Sequence, residues 1–562
     1  MKKIEINKKK LILSVLVAAL TAFILFYIFL PPINLRSPGF WIYLTVIIAS
    51  ALIPFIDFAS FSNEIKENWK SKTQDGIKYK NKSATLARQK WIFIAIAVPL
   101  IILIVGEIFS STFFFSRKYA AVIDVKESVF EEDLPETKEI TNIALMDSAS
   151  ATMLGNKELG ALSHVVSQYD VGENYTQINY KGAPKKVANL EYDGFFKWLG
   201  NNKNGVPGMV MVDPVKSYAE YMEFDDPMYY VDSAFFNQDL TRKLRFSYPT
   251  KIFNSISFEV DDNGKPYYIV SCAKPSVSMF GAMDINEVII FDPATGESEI
   301  YSVEDSPKWI DIVYTGYLAS EKYNWYGTLS GGFINSVIGN KGCKQTTDDF
   351  GYIALEDDVW YFTGVTSVSA DKSNIGFVLS NARTGEYKFY PVIGAEEHSA
   401  MSAAEGEVQE KGYVASFPSL VNISGEATYI MVLKDAAGLV KLYALVNVEN
   451  YSIVATGSTQ TEAMNSYKKL LKQNDLVTDS DKEIIVIVKD VRIAVVADVT
   501  TVYITAESGD VYKGYLEADE SLILIQKGDI ISVTYTDGDT ERIHIISSWR
   551  FDEGKIEGGE IY

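Results

Sequence analysis

The sequence predicts an α+β protein carried on three N-terminal transmembrane helices, and three observations lead there. Residues 11–30, 40–61 and 91–111 form apolar stretches without Lys or Arg, each close to the ~20 residues a helix needs to cross a bilayer core. A β-hairpin pattern recurs further along, each time followed by a helix start. Residues 480–562 then alternate short apolar runs with tight-turn residues and no helical period, as in a small β-barrel.

With 562 residues, 47% hydrophobic and 13% aromatic, the chain has material for several packed cores, and disorder is not expected. Lys8, Lys9 and Lys10 before the first apolar run resemble the start of a secretory signal. The run is long for one, ends at Pro31-Pro32 rather than at small residues, and is followed at once by a second span, so it is expected to be retained. Residues 1–10 carry five Lys, and the loop 62–90 carries eight basic side chains against three acidic ones. Basic short loops face the cytoplasm. Everything beyond residue 111 is therefore expected outside it, and membrane lipid is a partner. Glu107 and Asp57 lie near span ends, where a solvated interfacial carboxylate is the simpler reading.

Charge divides along the same boundary, since residues 116–562 hold 38 basic and 67 acidic side chains. Such a region repels phosphate backbones, so nucleic acid is not expected as a partner. Solubility explains the charge simply, and a cationic partner is the sharper reading. Cys272 and Cys343 both fall in this region; export permits a bridge between them without requiring one.

Residues 1–115 thus form a membrane domain, and 116–140 a linker. Beyond it, Val288–Tyr301 and Phe377–Tyr390 match: an apolar run reaches Asp292-Pro293-Ala294-Thr295-Gly296 or Asn381-Ala382-Arg383-Thr384-Gly385, turns, and resumes in alternation. Gly296 and Gly385 are expected at equivalent positions with positive φ. Asp213-Pro214 with Lys216-Ser217 upstream, and Asn447-Val448-Glu449-Asn450 downstream, are weaker copies. In the last three copies a strand precedes the hairpin (from Tyr267, Trp360 and Thr428). Helix starts follow at Ser306-Pro307, near Ala395, and at Thr459 with Glu462 as a capping box. A first α+β unit is expected at 141–255, and units of strand, hairpin and helix at 256–350 (with an insertion), 351–418 and 419–475.

The quoted turns and their flanking pattern resemble the PepSY domain, a cystatin-like unit in which a helix packs on an antiparallel sheet. That resemblance implies a protein of the bacterial envelope that regulates or inhibits a peptidase. The C-terminal runs at Glu483–Val488, Arg492–Val496, Val502–Ala506, Val511–Tyr515, Leu522–Gln526, Ile530–Tyr535 and Arg542–Ser547 suggest an SH3-like or OB-like barrel.

No catalytic residue, metal site or cofactor is expected. His164, His398 and His544 have no nucleophile-elbow or zincin context, and no acidic cluster has the ligand spacing of a calcium loop; Asp261-Asp262-Asn263-Gly264 reads as a hairpin turn. The insertion holding Trp325, Tyr326, Gly331, Gly332 and Phe333 combines bulky aromatics with glycines and is the candidate partner-binding loop, against the alternative that it covers a satellite core. The expectation is a membrane-anchored extracytoplasmic binding or scaffold protein, not an enzyme, with a protein partner or self-association. A transmembrane sensor and an envelope enzyme are the competing readings.

Overall fold

The computed structural model describes residues 8–55, 84–137, 145–146, 148–355, 358–368, 373–474, 476, 482–496, 499–540 and 542–551. Its architecture is α+β, with three helices long and apolar enough to cross a membrane followed by a series of β-sheets. Helix α1 spans Lys8–Phe29 and α2 spans Pro38–Leu52, continuing as one 3-10 turn through Ile53–Phe55. Pro54, which has no N–H to give an α-helical ladder, stands in that turn. Helix α3 covers Ala84–Ser110 and absorbs Pro99. The end of the expected second span and most of the loop 62–90 lie outside the described residues. Tyr43 of α2 donates its hydroxyl to the Ala22 carbonyl of α1 at 3.0 Å, joining the two helices.

The chain forms two compact units, one made of Met1–Glu127, Ser148–Asp371 and Phe377–Phe389, the other of Ser128–Asp147, Lys372–Gly376 and Tyr390–Tyr562. In the first, α3 is followed by α4 (Thr112–Ala120) and β1 (Val125–Glu127). The expected linker 116–140 is thus partly ordered structure. β1 pairs in parallel with Tyr387–Phe389, and three residues are too few for a periodic signal in sequence.

After α5 (Ser148–Ala161), the first sheet contains β2 (Tyr169–Val171), β3 (Thr176–Tyr180), β4 (Ala183–Tyr192), β5 (Val206–Asp213) and β6 (Tyr218–Met228). Its order is β2-β4-β5-β6, with β3 also on β4. Helix α6 (Leu240–Ser247) leads to the second sheet, β10-β9-β8-β7, from β7 (Ile252–Val260), β8 (Pro266–Val277), β9 (Gly281–Phe291) and β10 (Ser298–Ser302). Then come α7 (Gly316–Leu329) and the strands β11 (Lys344–Thr346), β12 (Gly351–Leu355), β13 (Asp358–Ser367), β14 (Ser373–Asn381) and β15 (Tyr387–Tyr390), ordered β1-β15-β14-β13-β11 with β12 on β13.

The helix expected at Ser306-Pro307 begins only at Gly316. Ser306 instead closes a turn, its hydroxyl and N–H both donating to the Val303 carbonyl, and Thr315 is the true N-cap, accepting from the Leu318 N–H at 3.3 Å. The turn at Asp261–Gly264 closes β7–β8 as expected, with Asp261 Oδ1 accepting from the N–H groups of Asn263 and Lys265 at 2.9 Å each.

The ends of two of these helices are tied to this unit. Ile33 N–H donates to the Pro249 carbonyl, and the Asn34 side chain to that of Thr250 at 2.8 Å. The Arg242 guanidinium lies 4.4 Å from the centre of the Tyr27 ring. At the end of α3, Ser110 Oγ accepts from the N–H groups of Met279 and Phe280 at 3.2 and 3.0 Å, so the β8–β9 turn rests on a helix terminus.

In the second unit, β16 (Gly394–Ala395) pairs with Ser373 and Asn374, and α8 (Glu397–Glu407) follows. A sheet ordered β17-β19-β20-β21, with β18 on β19, is built from β17 (Val414–Ala415), β18 (Ser419–Ile423), β19 (Glu426–Lys434), β20 (Val440–Asn447) and β21 (Val454–Gly457). Helix α9 (Gln460–Gln473) lays Ala463, Tyr467 and Leu471 on Ile430, Val432 and Leu445 of this sheet, the apolar stripe that its i, i+4, i+8 spacing provides. Its capping box forms: Thr459 Oγ1 accepts from Glu462 N–H at 3.1 Å, and Glu462 accepts from Ser458 N–H at 2.7 Å.

Five strands close into a barrel, in the order β22-β23-β24-β26-β25: β22 (Lys482–Val496), β23 (Val499–Ala506), β24 (Val511–Tyr515), β25 (Ile530–Thr540) and β26 (Ile543–Phe551). Two expectations change. The runs 483–488 and 492–496 are one strand broken by a bulge between Val488 and Asp490. Leu522–Gln526 is no strand: Glu520–Leu524 form a 3-10 turn that buries Leu522 in the barrel core.

Candidate functional site

Each residue of the expected insertion loop has a place within the first unit. Trp325 and Tyr326 lie on α7, so this part is helix and not loop. The Trp325 ring stands edge-on to Tyr119 of α4 with centroids 5.1 Å apart, and Phe333 stands edge-on to Phe113, also at 5.1 Å. Trp325 packs on the buried group of Tyr119, Val277, Ala282 and Leu329, and Tyr326 lies 5.8 Å from the buried Tyr323 ring. Gly331 and Gly332 follow the helix as its exit turn, Gly332 donating to the Leu329 carbonyl at 2.8 Å. Both large aromatics are thus engaged inside the chain, on the helix that leaves the third span.

The hairpin turns share one hydrogen-bond pattern. Asp292 Oδ1 accepts from the N–H groups of Ala294 and Thr295 at 2.8 and 3.1 Å; Asn381 Oδ1 accepts from those of Arg383 and Thr384 at 2.9 and 2.8 Å. Gly296 and Gly385 have φ of 75° and 72°, and their N–H groups donate to the carbonyls of Asp292 and Asn381. Asp213 makes the same turn with Val215 and Lys216, and Ser217 sits at φ 52° where the other two copies have glycine. Asn447 Oδ1 accepts from Asn450 N–H at 2.7 Å. A second relation recurs too. Tyr229 and Tyr230 donate their N–H groups to Pro293 O, and Val313 and Tyr314 donate theirs to Ala382 O. Tyr230 and Tyr314 lie against Gly296 and Gly385, within 2.6 and 2.8 Å of where a Cβ would stand.

Among the described residues, one feature with room for a ligand is a cleft of about 520 Å³ in the first unit, where its three sheets and the start of α7 converge. β4 supplies Asn189 and Glu191, and the loop after β6 supplies Asp232 and Ser233. Phe258 and Tyr268 come from β7 and β8, and Phe350, Tyr352 and Tyr361 make an aromatic wall. Phe350 is edge-on to both Tyr317 and Tyr361, each at 5.3 Å. Thr315, Gly316 and Tyr317 bring the first turn of α7 to the cleft. A Cβ on Gly316 would lie 2.3 Å from the Phe350 ring, so only glycine lets this helix approach so closely.

Polar groups here are held by specific partners. Glu191 accepts from Ser233 N–H at 3.0 Å, from the Ser233 hydroxyl, and from Asn189 Nδ2 at 2.5 Å. Burial raises its pKa despite these bonds, and the nearby Asp232 charge adds to the rise. Asp232, which keeps an exposed side, is raised by partial desolvation first and then by Asp239. The Tyr268 hydroxyl is buried, has no hydrogen-bond partner, and is raised well above the usual phenol range by burial and by Glu191 and Asp232.

Behind the cleft, Glu259 is fully buried. It accepts from the N–H groups of Asp311 and Ile312 at 2.8 and 3.1 Å and from Ser257 Oγ at 3.1 Å. Burial pushes its pKa up to about 7 against those three bonds. This carboxyl fixes the segment that delivers Ile312 and Thr315 to the cleft.

Sequence reading did not find Glu191, Asp232, Glu259 or Tyr268. A signal existed for two of them: Glu191 lies between Leu190 and Tyr192, and Glu259 between Phe258 and Val260, each an ionisable group inside an apolar strand. Neither His398 nor His544 lines the cleft, and His544 lies between the rings of Tyr512 and Tyr535 in the barrel. Cys272 and Cys343 are buried free thiols, unbridged; burial pushes the Cys272 thiol up to about 12. No protein-family model matches this sequence, and no curated protein matches it either.

Proposed function

We propose that the chain is a multi-pass protein of the bacterial cell membrane, with its N-terminus in the cytoplasm and the region beyond residue 111 outside, and that it acts by binding rather than by catalysis. The cleft is the observation that carries this reading. It has volume for a small ligand or a peptide side chain, an aromatic wall, and a few convergent polar groups, the usual make-up of a binding site. The repeated turns at Asp213, Asp292, Asn381 and Asn447, with α9 packed on its sheet, support the PepSY-like reading of the units. Five closed strands support the SH3-like or OB-like reading of the C-terminal barrel. By that likeness a peptidase is the protein partner to be regulated or inhibited, with self-association as the other scaffold role.

One observation favours a second reading, a sensor. Helix α7 starts in the cleft with Thr315, Gly316 and Tyr317 and rests Trp325 on α4, the continuation of the third span. A ligand that shifts its first turn has a rigid element leading to the membrane.

The test uses a membrane-impermeant maleimide on intact cells, with Tyr317→Cys at the cleft mouth and a second cysteine within residues 62–90. The two native thiols are buried and give little background. Labelling of position 317 alone is expected. Labelling of the loop would reverse the topology, and recovery of a chemically altered ligand from the purified protein would make it an enzyme.

A further inference from the structure

The chemistry of the cleft selects a ligand class, an inference that rests on the cleft being a binding site. Glu173, Glu191 and Asp232 line it, and among the described residues no Lys, Arg or His does. An anionic ligand would face three carboxylates in a site partly shut from water, where Coulomb repulsion is weakly screened. The side-chain donors beside Glu191 are already engaged. Asn189 Nδ2 donates to Glu191 and to the Leu190 carbonyl, the Ser233 hydroxyl donates to Glu191, and Ser257 Oγ donates to Glu259. Around Glu191 and Asp232 the groups left to bond a ligand are carboxylate oxygens, which accept, and the unpartnered Tyr175 and Tyr268 hydroxyls, which can accept too, so a donor fits this side of the cleft.

The Tyr268 hydroxyl is the independent sign of a missing ligand group. The residue is 3% exposed, its oxygen has no hydrogen-bond partner, and the Glu191 and Asp232 charges both act on it. A buried hydroxyl left unpaired is costly, a cost that an N–H group of a ligand in the cleft reduces. The aromatic wall adds a surface suited to a positive group. Tyr352 already has the buried ammonium of Lys186 5.2 Å from its ring centre.

We propose that the cleft binds a primary alkylammonium group, from a lysine side chain or a polyamine, with Glu191, Asp232 and the Tyr268 hydroxyl as its acceptors and the Tyr317–Phe350 pair as its aromatic face. Such a ligand matches the charge deficit, the surplus of acceptors and the rings together.

Isothermal titration calorimetry on the full chain in lipid nanodiscs tests this with three probes: acetyl-Gly-Lys-Gly-amide, spermidine and methyl β-glucoside. Glu191→Gln would disturb the bonds to Ser233 and Asn189, so Asp232→Asn and Tyr268→Phe carry the test. At least one amine is expected to bind saturably, and to weaken at least about tenfold in Asp232→Asn with the thermal transition retained. A preference for the lysine peptide or for spermidine identifies the source of the ammonium. Glucoside binding without amine binding overturns the inference and leaves the cleft a binding site. Amine binding that neither substitution alters, or no binding by any probe, overturns it as well; the labelling of position 317 tests the topology separately.

Discussion

The ring of Trp325 stands at 87° to that of Tyr119, centroids 5.1 Å apart, joining α7 to the helix that continues the third span. Tyr119 in turn donates its hydroxyl to the Ser110 carbonyl at 2.6 Å, at the last residue of that span. Cleft, helix and membrane exit are therefore linked through consecutive packed groups.

Trp325→Ala should accordingly destabilise the first unit, by ~2 kcal/mol for a half-buried aromatic in edge-on contact. Denaturant unfolding in detergent micelles would read the loss. A change under about 0.5 kcal/mol would return Trp325 to the role of a surface residue available to a partner.

The pH dependence of stability should carry the mark of Glu259. Its folded pKa, about 7, lies above the ordinary carboxyl value of 4.5, so the folded state holds its proton where the unfolded state has lost it. Stability then falls as pH rises through roughly 4.5 to 7, by about 3 kcal/mol in all, and is flat above. Thermal melts at pH 5 and pH 8 should differ accordingly, and Glu259→Gln should flatten the difference even if it weakens the bonds to Asp311 and Ile312. An unchanged slope in that variant would assign the titration elsewhere.

Gly385→Ala should cost ~1–2 kcal/mol from the left-handed backbone alone, with more from the collision of its Cβ with Tyr314. Ser217, at φ 52° in the corresponding turn, makes the reciprocal case: Ser217→Gly should gain a few tenths to ~1 kcal/mol. Opposite shifts in unfolding midpoints, the larger one for Gly385→Ala, would support one shared turn design; a neutral Gly385→Ala would break the equivalence.

The local features were legible because their causes are local. Thr459 and Glu462 specify a cap within four residues, and Asp292 to Gly296 specify a turn within five. The cleft was not, because Glu191, Asp232, Tyr268 and Tyr361 come from segments far apart in the chain and only sheet packing brings them together. Ser306-Pro307 misled for a related reason. It has the composition of a helix start, but Glu259, from strand β7, takes the N–H groups of Asp311 and Ile312, and the helix begins only at Gly316. Trp325 and Phe333 resembled binding residues because exposure cannot be read from aromatic content when the covering surface, α4, lies two hundred residues away.

Hydrogen–deuterium exchange on the full chain in lipid nanodiscs, with and without saturating acetyl-Gly-Lys-Gly-amide, tests the binding cleft most directly. Slower exchange is expected in residues 172–177 and 311–317, which border the cleft, with the barrel strands β22–β26 unchanged and the peptide recovered intact. Protection confined to the barrel, or cleaved peptide in the supernatant, would contradict it.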